Sequence, residues 1–168
     1  MQLTEIDKTR YDRHLKIVFA GIAIALLVIS LAASTLFIQL FSTAQAPHFW
    51  HNLAGVAVAV IVVVLVMGKI REHPYLTEVV YVWDLKQLLN KIQRKQRAIE
   101  ARVEANDRTA MIILNFQYQG SKQLYQLDDN TITMDDLLIK IQHLDKRMDA
   151  AGLNITSVNL EPALIEQF

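Results

Sequence analysis

The stretch "FIQLFSTAQAPHFWHNLAG", Phe37 to Gly55, decides the fold, because it places Ala44-Gln45-Ala46 directly behind a long apolar run. Ala-x-Ala is the pattern of a signal-peptidase site, so the stretch is either a cut that releases a secreted domain or a turn between two membrane spans. Upstream, Ile17 to Ile38 carries no charged residue over 22 positions. At 1.5 Å per residue a helix of that length covers the roughly 30 Å hydrocarbon core, and it is longer than the about 7–15 residues of a signal h-region. Pro47 stands directly after the hypothetical cut, where it hinders the peptidase. Downstream, Phe49 to Gly68, "FWHNLAGVAVAVIVVVLVMG", is a second run without Asp, Glu, Lys or Arg. Two runs this close predict an uncleaved transmembrane hairpin, with the Ala-x-Ala in its turn.

Composition agrees with an anchor joined to one small domain: 168 residues, 52% hydrophobic, with a mean hydropathy of +0.22. The net charge is zero, yet residues 1–16 carry +1, residues 69–106 carry +3 and residues 107–168 carry −4. There is no cysteine, which excludes disulfide frameworks, thiolate metal sites and cysteine nucleophiles. Lys8, Arg10, Arg13 and Lys16 precede the first run, Lys69 and Arg71 follow the second, and Ser42 to His48 has neither Lys nor Arg. The positive-inside rule therefore predicts cytoplasmic termini and a periplasmic turn, with Phe41, Phe49 and Trp50 at the outer interface. The expected layout is a cytoplasmic segment 1–16, spans at 17–41 and 49–70, a turn at 42–48, and a cytoplasmic helical domain at 74–168. The fold class expected is all-α.

Within the spans, His51 near the outer end is the ionisable residue, which is a poor basis for a proton or ion pathway. Small residues recur four apart (Gly21 with Ala25, Ser30 with Ser34, Gly55 with Ala59) and allow close helix approach. His48 with His51, and His14 with His73, read as interfacial side chains rather than ligands. No cofactor or metal is expected, and no catalytic residue: phosphate-binding Gly loops and Ser-His-Asp sets are lacking in the sequence. "DDNTITMDDLLI" begins like a calcium loop but has Ile132, Thr133 and Ile139 where an oxygen ligand, Gly and Glu are needed.

Beyond Pro74, Val82, Leu85, Leu89, Ile92, Gln96, Ile99 and Val103 step by three and four, predicting one long amphipathic helix. Its heptads fit a coiled coil or packing inside a helical domain. Asn106 or Asp107 can cap the next segment, where Leu114, Phe116 and Tyr118 alternate as a strand does while Ala110, Leu114, Tyr118, Ser121 and Tyr125 share a helical face. Helix is the reading preferred. Thr133 and Asp136 resemble a capping box opening a third helix that ends at Gly152, and the apolar tail is expected to dock.

At "REHPYLTEVVYVWDLKQLLNKI" (71–92) and "ILNFQYQGSKQLYQLDDNTIT" (113–133), taken with the hairpin, the chain resembles an uncharacterised family of gammaproteobacterial membrane proteins known as a domain of unknown function. The resemblance spans the chain and implies a bacterial inner-membrane location without assigning an activity. Tyr81, Trp83, Asn115, Tyr118, Gly120, Tyr125 and Asn130 form the candidate recognition surface, set against a reading as core aromatics and turn residues. Lys86, Lys91, Arg94, Lys95, Arg97 and Arg102 form a candidate lipid-facing basic face. On an upright helix Lys86 stands roughly 18 Å beyond Pro74, past the Debye length of about 8 Å, so a solvated face is favoured. The function expected is a membrane-tethered interaction or scaffold module that binds a protein partner or a second copy. The alternatives are a sensor of anionic lipid and an accessory subunit of a membrane enzyme or transporter, with its site near His73, Tyr75 and Trp83. Nucleic acid is not an expected partner.

Overall fold

A computed structural model describes residues 1–41, 48–153 and 159–168. Six α-helices follow in order: α1 (Lys8–Phe41), α2 (Phe49–Ile70), α3 (Thr77–Arg94), α4 (Gln96–Glu104), α5 (Arg108–Leu127) and α6 (Met134–Ala150). Short 3-10 helices lie at Pro74–Leu76 and Pro162–Gln167. Among the described residues there is no strand, and one isolated antiparallel bridge joins Gln2 to Asn159. The chain forms two compact units, one of Asp7–Val80 and one of Met1–Ile6 with Tyr81–Phe168. The first unit ends within the first turn of α3.

In the first unit α1 and α2 are each long and apolar enough to cross a membrane. Their most apolar windows are 0% and 11% buried within the chain. Phe19, Leu31, Leu40, Val64 and Leu65 are all exposed. The two helices meet through small residues: Ser34, Gly55 and Ala59 are buried. A Cβ on Gly55 would lie 2.1 Å from Ser34 Oγ and 2.8 Å from the Ser30 carbonyl oxygen, so glycine is what permits the approach. The Ser34 hydroxyl also donates to the Asn52 carbonyl across the contact, 3.4 Å. Gly21, by contrast, faces open space. The expected segment 1–16 is divided: residues 8–16 continue α1 outward, and Met1–Ile6 join the second unit. Residues 42–47 of the expected turn, with the Ala-x-Ala, lie outside the described residues.

The second unit is built around α5. Asp107 caps it by accepting from the Thr109 and Ala110 amides at 2.8 and 3.2 Å. Ala110, Met111, Ile113, Leu114, Asn115, Phe116 and Gln117 are all buried. The helix packs on α4, α6 and the C-terminal 3-10 helix. Burial around most of its circumference explains the mixed periodicity, because a helix covered on several sides loses the polar face that would mark its period.

Three expectations are corrected here. The long amphipathic helix is two helices: Lys95 leaves helical geometry (φ −107°, ψ 8°), its amide turning to the Ile92 carbonyl in a tighter 3-10 pattern. The stripe offers no coiled-coil seam, since Leu85, Leu89, Ile92, Ile99 and Val103 are buried in the chain's own core. Thr133 makes no side-chain capping bond, so the capping box is not formed. The end of α6 is as expected: Gly152 takes φ +67°, the Leu153 amide reaches the Met148 carbonyl and the Gly152 amide that of Asp149, a Schellman motif. Residues 159–168 dock, with Leu160 and Ile165 fully buried. The Met1 ammonium and the Leu160 amide each bond the other residue's carbonyl.

Candidate functional site

Sequence chemistry converges at the foot of the hairpin. After α2, His73 is extended and Pro74 opens the short 3-10 helix, its fixed φ suiting a first helical position. His73 Nδ1 accepts from the Tyr75 amide at 3.2 Å, and the Thr77 hydroxyl donates to the Pro74 carbonyl at 2.9 Å. This turn stacks Tyr75 on His14 of α1, with ring centroids 3.9 Å apart. One turn on, Glu78 reaches back to α1. Its Oε1 pairs with Arg10 Nε at 2.9 Å, and its Oε2 lies 3.4 Å from His14 Nδ1. His14 and Glu78 are 7% and 9% exposed, and the two facing atoms make no hydrogen bond. They are within ion-pair range but not aligned for donation. The cluster thus ties α1, the 3-10 helix and α3 through one buried carboxylate, and its chemistry is that of a clamp. His14 and His73 both engage Tyr75, one through the ring and the other through the backbone.

His48 and His51 meet edge-on at 6.2 Å. Among the described residues no group of three metal-ligating side chains assembles.

The candidate recognition residues do not form one surface. Asn115 is buried, and Gly120 is packed where a Cβ would lie 3.1–3.2 Å from the Leu89 and Leu85 side chains, so both serve the core. Tyr81 is a staple: its hydroxyl donates to Gln123 Oε1 and accepts from the Thr4 amide, both at 3.0 Å. Tyr118 is half-buried, and burial, reinforced by the Glu100 charge, pushes its phenol up from the usual value. Tyr125 and Asn130 flank the end of α5, where the Asn130 amide donates to the Tyr125 carbonyl at 2.9 Å. Trp83 alone of the seven is widely exposed, at 62%.

The basic face has a structural task that sequence reasoning missed. Lys86 pairs with Asp128 at 3.2 Å, and Lys91 with Glu166. Lys95 donates to the Ile165 carbonyl at 2.9 Å and lies 3.6 Å from Glu166. Arg102 lies 3.6 Å from Asp107 and sits over the Phe168 ring at 4.6 Å. The Lys91 hydrogen bond, then the Lys91 and Lys95 charges, hold the Glu166 carboxyl below its ordinary value. The opposed charges of residues 69–106 and 107–168 were the available signal. Arg94 and Arg97 are exposed and line a groove beside Phe168.

Residues 1–165 match the family model described as "Protein of unknown function (DUF3087)". No curated protein and no solved structure matches the chain.

Proposed function

The chain belongs to this family of unknown function, and we propose that it is a hairpin-anchored protein of the bacterial inner membrane whose helical unit is a non-enzymatic interaction or scaffold module. The observation that carries the anchoring is the apolar surface of α1 and α2, which is exposed along both helices and needs lipid to cover it. Lys and Arg flanking the spans support cytoplasmic termini. The folding of Met1–Ile6 into one unit with Tyr81–Phe168 supports two ends on one side of the bilayer.

For the scaffold role the support is the contrast between a closed core and three exposed apolar side chains on the helical unit: Trp83, Ile132 at 91% and Ile139 at 65%. Tryptophan is a frequent interface anchor. The lipid-sensor reading is weaker, because Lys86, Lys91, Lys95 and Arg102 already engage the chain's own C-terminal half. A photocrosslinking amino acid at position 83 or 132, in cells, followed by gentle-detergent purification, tests the module. A discrete adduct absent from a control at exposed Asp145 is the expected result. Identical, diffuse labelling at all three positions would contradict it.

A further inference from the structure

Two polar atoms at the foot of the hairpin face each other out of water with no hydrogen bond between them. Both belong to the unit Asp7–Val80. His14 Nδ1 and Glu78 Oε2 lie 3.4 Å apart on residues each more than nine-tenths buried, and neither atom has a hydrogen-bond partner among the described residues. Buried polar groups are nearly always paired, so two orphans at this distance mark something missing between them. A metal ion needs further ligands, and among the described residues no third His, Cys, Asp or Glu assembles there. The separation is only slightly longer than an N–H···O bond of about 2.9 Å. A proton is the species that completes it.

We propose that His14 and Glu78 form a proton-operated latch, in which protonation of His14 turns the facing contact into a buried ion pair and fastens α1 to the first turn of α3. A neutral imidazole carries one N–H and one lone pair, so it satisfies Glu78 in one tautomer and opposes it in the other; the imidazolium donates from both nitrogens and brings the opposite charge. Burial works against a charged His14, but the carboxylate it meets is buried with it, so the proton pairs a charge already present. Arg10 is the opposing cation, with Nε 2.9 Å from Glu78 Oε1. Its side chain is 53% exposed, so solvent screens it, whereas His14 and Glu78 meet away from water. Tyr75, stacked on His14, and buried Tyr11 a turn earlier on α1 are neutral phenols. Asp7 accepts from the Arg10 amide at 3.0 Å. Arg13 and Lys16 of α1, and Lys69, Arg71 and Glu72 around the end of α2, are exposed. His73 acts in the opposite sense, because its Nδ1 accepts from the Tyr75 amide and a proton there would remove that acceptor. The latch therefore contributes stability on the acid side of the ordinary imidazole range, about pH 6.5, and loses it as pH rises through that range. It is lost again below about pH 4.3, where carboxyl groups take up protons. The latch is independent of the scaffold reading, since it is built within the other unit.

The test is amide hydrogen exchange, resolved by residue, of the full-length protein in detergent micelles at about pH 6 and about pH 8, corrected for intrinsic rates. The Leu76 and Thr77 amides, bonded to the His73 and Pro74 carbonyls, report on the turn that the latch holds. Their protection relative to the α5 core should be about threefold or more greater at the lower pH. That dependence should vanish in His14→Gln and in Glu78→Gln, and persist or grow in His73→Gln. Protection of the α5 core checks that each variant folds, and wild type against His73→Gln reads the dependence without either latch substitution. Equal relative protection at the two pH values, a dependence that survives either latch substitution, or one lost with His73→Gln would overturn the latch.

Discussion

Gly55 is where a single hydrogen decides how closely two helices approach. Its missing Cβ leaves room for the Ser34 hydroxyl, which is nearest, and for the Ser34 amide nitrogen and Ser30 carbonyl oxygen behind it, which are backbone atoms of α1 at 2.7 and 2.8 Å. Gly55→Ala must therefore move α1 and α2 apart, at a cost of about 1–3 kcal/mol. Gly21→Ala meets nothing within 4 Å and should be neutral or slightly stabilising. Thermal unfolding in detergent compares the two, and equal melting temperatures would refute the packing. Glu78 poses the same question in charges. Glu78→Ala removes the buried carboxylate that lies 3.4 Å from His14 Nδ1 and so empties the contact between α1 and α3, at a cost of about 0.5–3 kcal/mol. The half-exposed Arg10 pair adds little, because solvent screens it. Exposed Glu72→Ala is the control, and an equal effect from both would show that the clamp is not holding α1 to α3.

At the scale of elements, the α3–α4 pair shows what a sequence reveals and what it conceals. The stripe from Val82 to Val103 was legible because apolar spacing survives a one-residue interruption, and each of its aliphatic members is buried. The interruption itself was not legible. Lys95 is an ordinary helix former, and where it leaves the helix its ammonium and the residue beside it meet tertiary partners in Ile165, Glu166 and Gln117, which no local pattern announces. Leu89→Ala, at the contact with Gly120, should cost about 2–5 kcal/mol, read as a lowered midpoint of chemical unfolding. A loss under about 1 kcal/mol would mean the stripe is not a core. The C-terminal 3-10 helix offers a pH test. Because the folded Glu166 carboxyl titrates below its ordinary 4.5, its contacts with Lys91 and Lys95 stabilise above that value and are lost as pH falls through the folded one. Amide exchange at Phe168, bonded to the Ile165 carbonyl, should accelerate below about pH 4.5 relative to the α5 core after correction for intrinsic rates. No differential change would show that Glu166 does not anchor the segment.

At the scale of the whole molecule, two long charge-free runs separated by a few residues were enough to foresee the hairpin helices, since both length and absence of charge are one-dimensional properties. The recognition surface was not foreseeable in the same way. Asn115 and Gly120 look like surface or turn residues by type, and only the burial of α5 on several sides places them inside. The pairing of Met1 and Gln2 with Leu160 and Asn159 is farther still from local pattern, because it joins the two ends of the chain. That pairing and the apolar hairpin together make the central claim, two crossings with both ends on the cytoplasmic side. The chain's lack of cysteine makes one measurement direct. Single cysteines introduced as Gln45→Cys, Glu5→Cys and Ile132→Cys are labelled with a membrane-impermeant maleimide on intact cells and again after permeabilisation. Position 45 should react in intact cells, with positions 5 and 132 reacting only after permeabilisation. Labelling of position 132 in intact cells, with position 45 protected, would contradict the account.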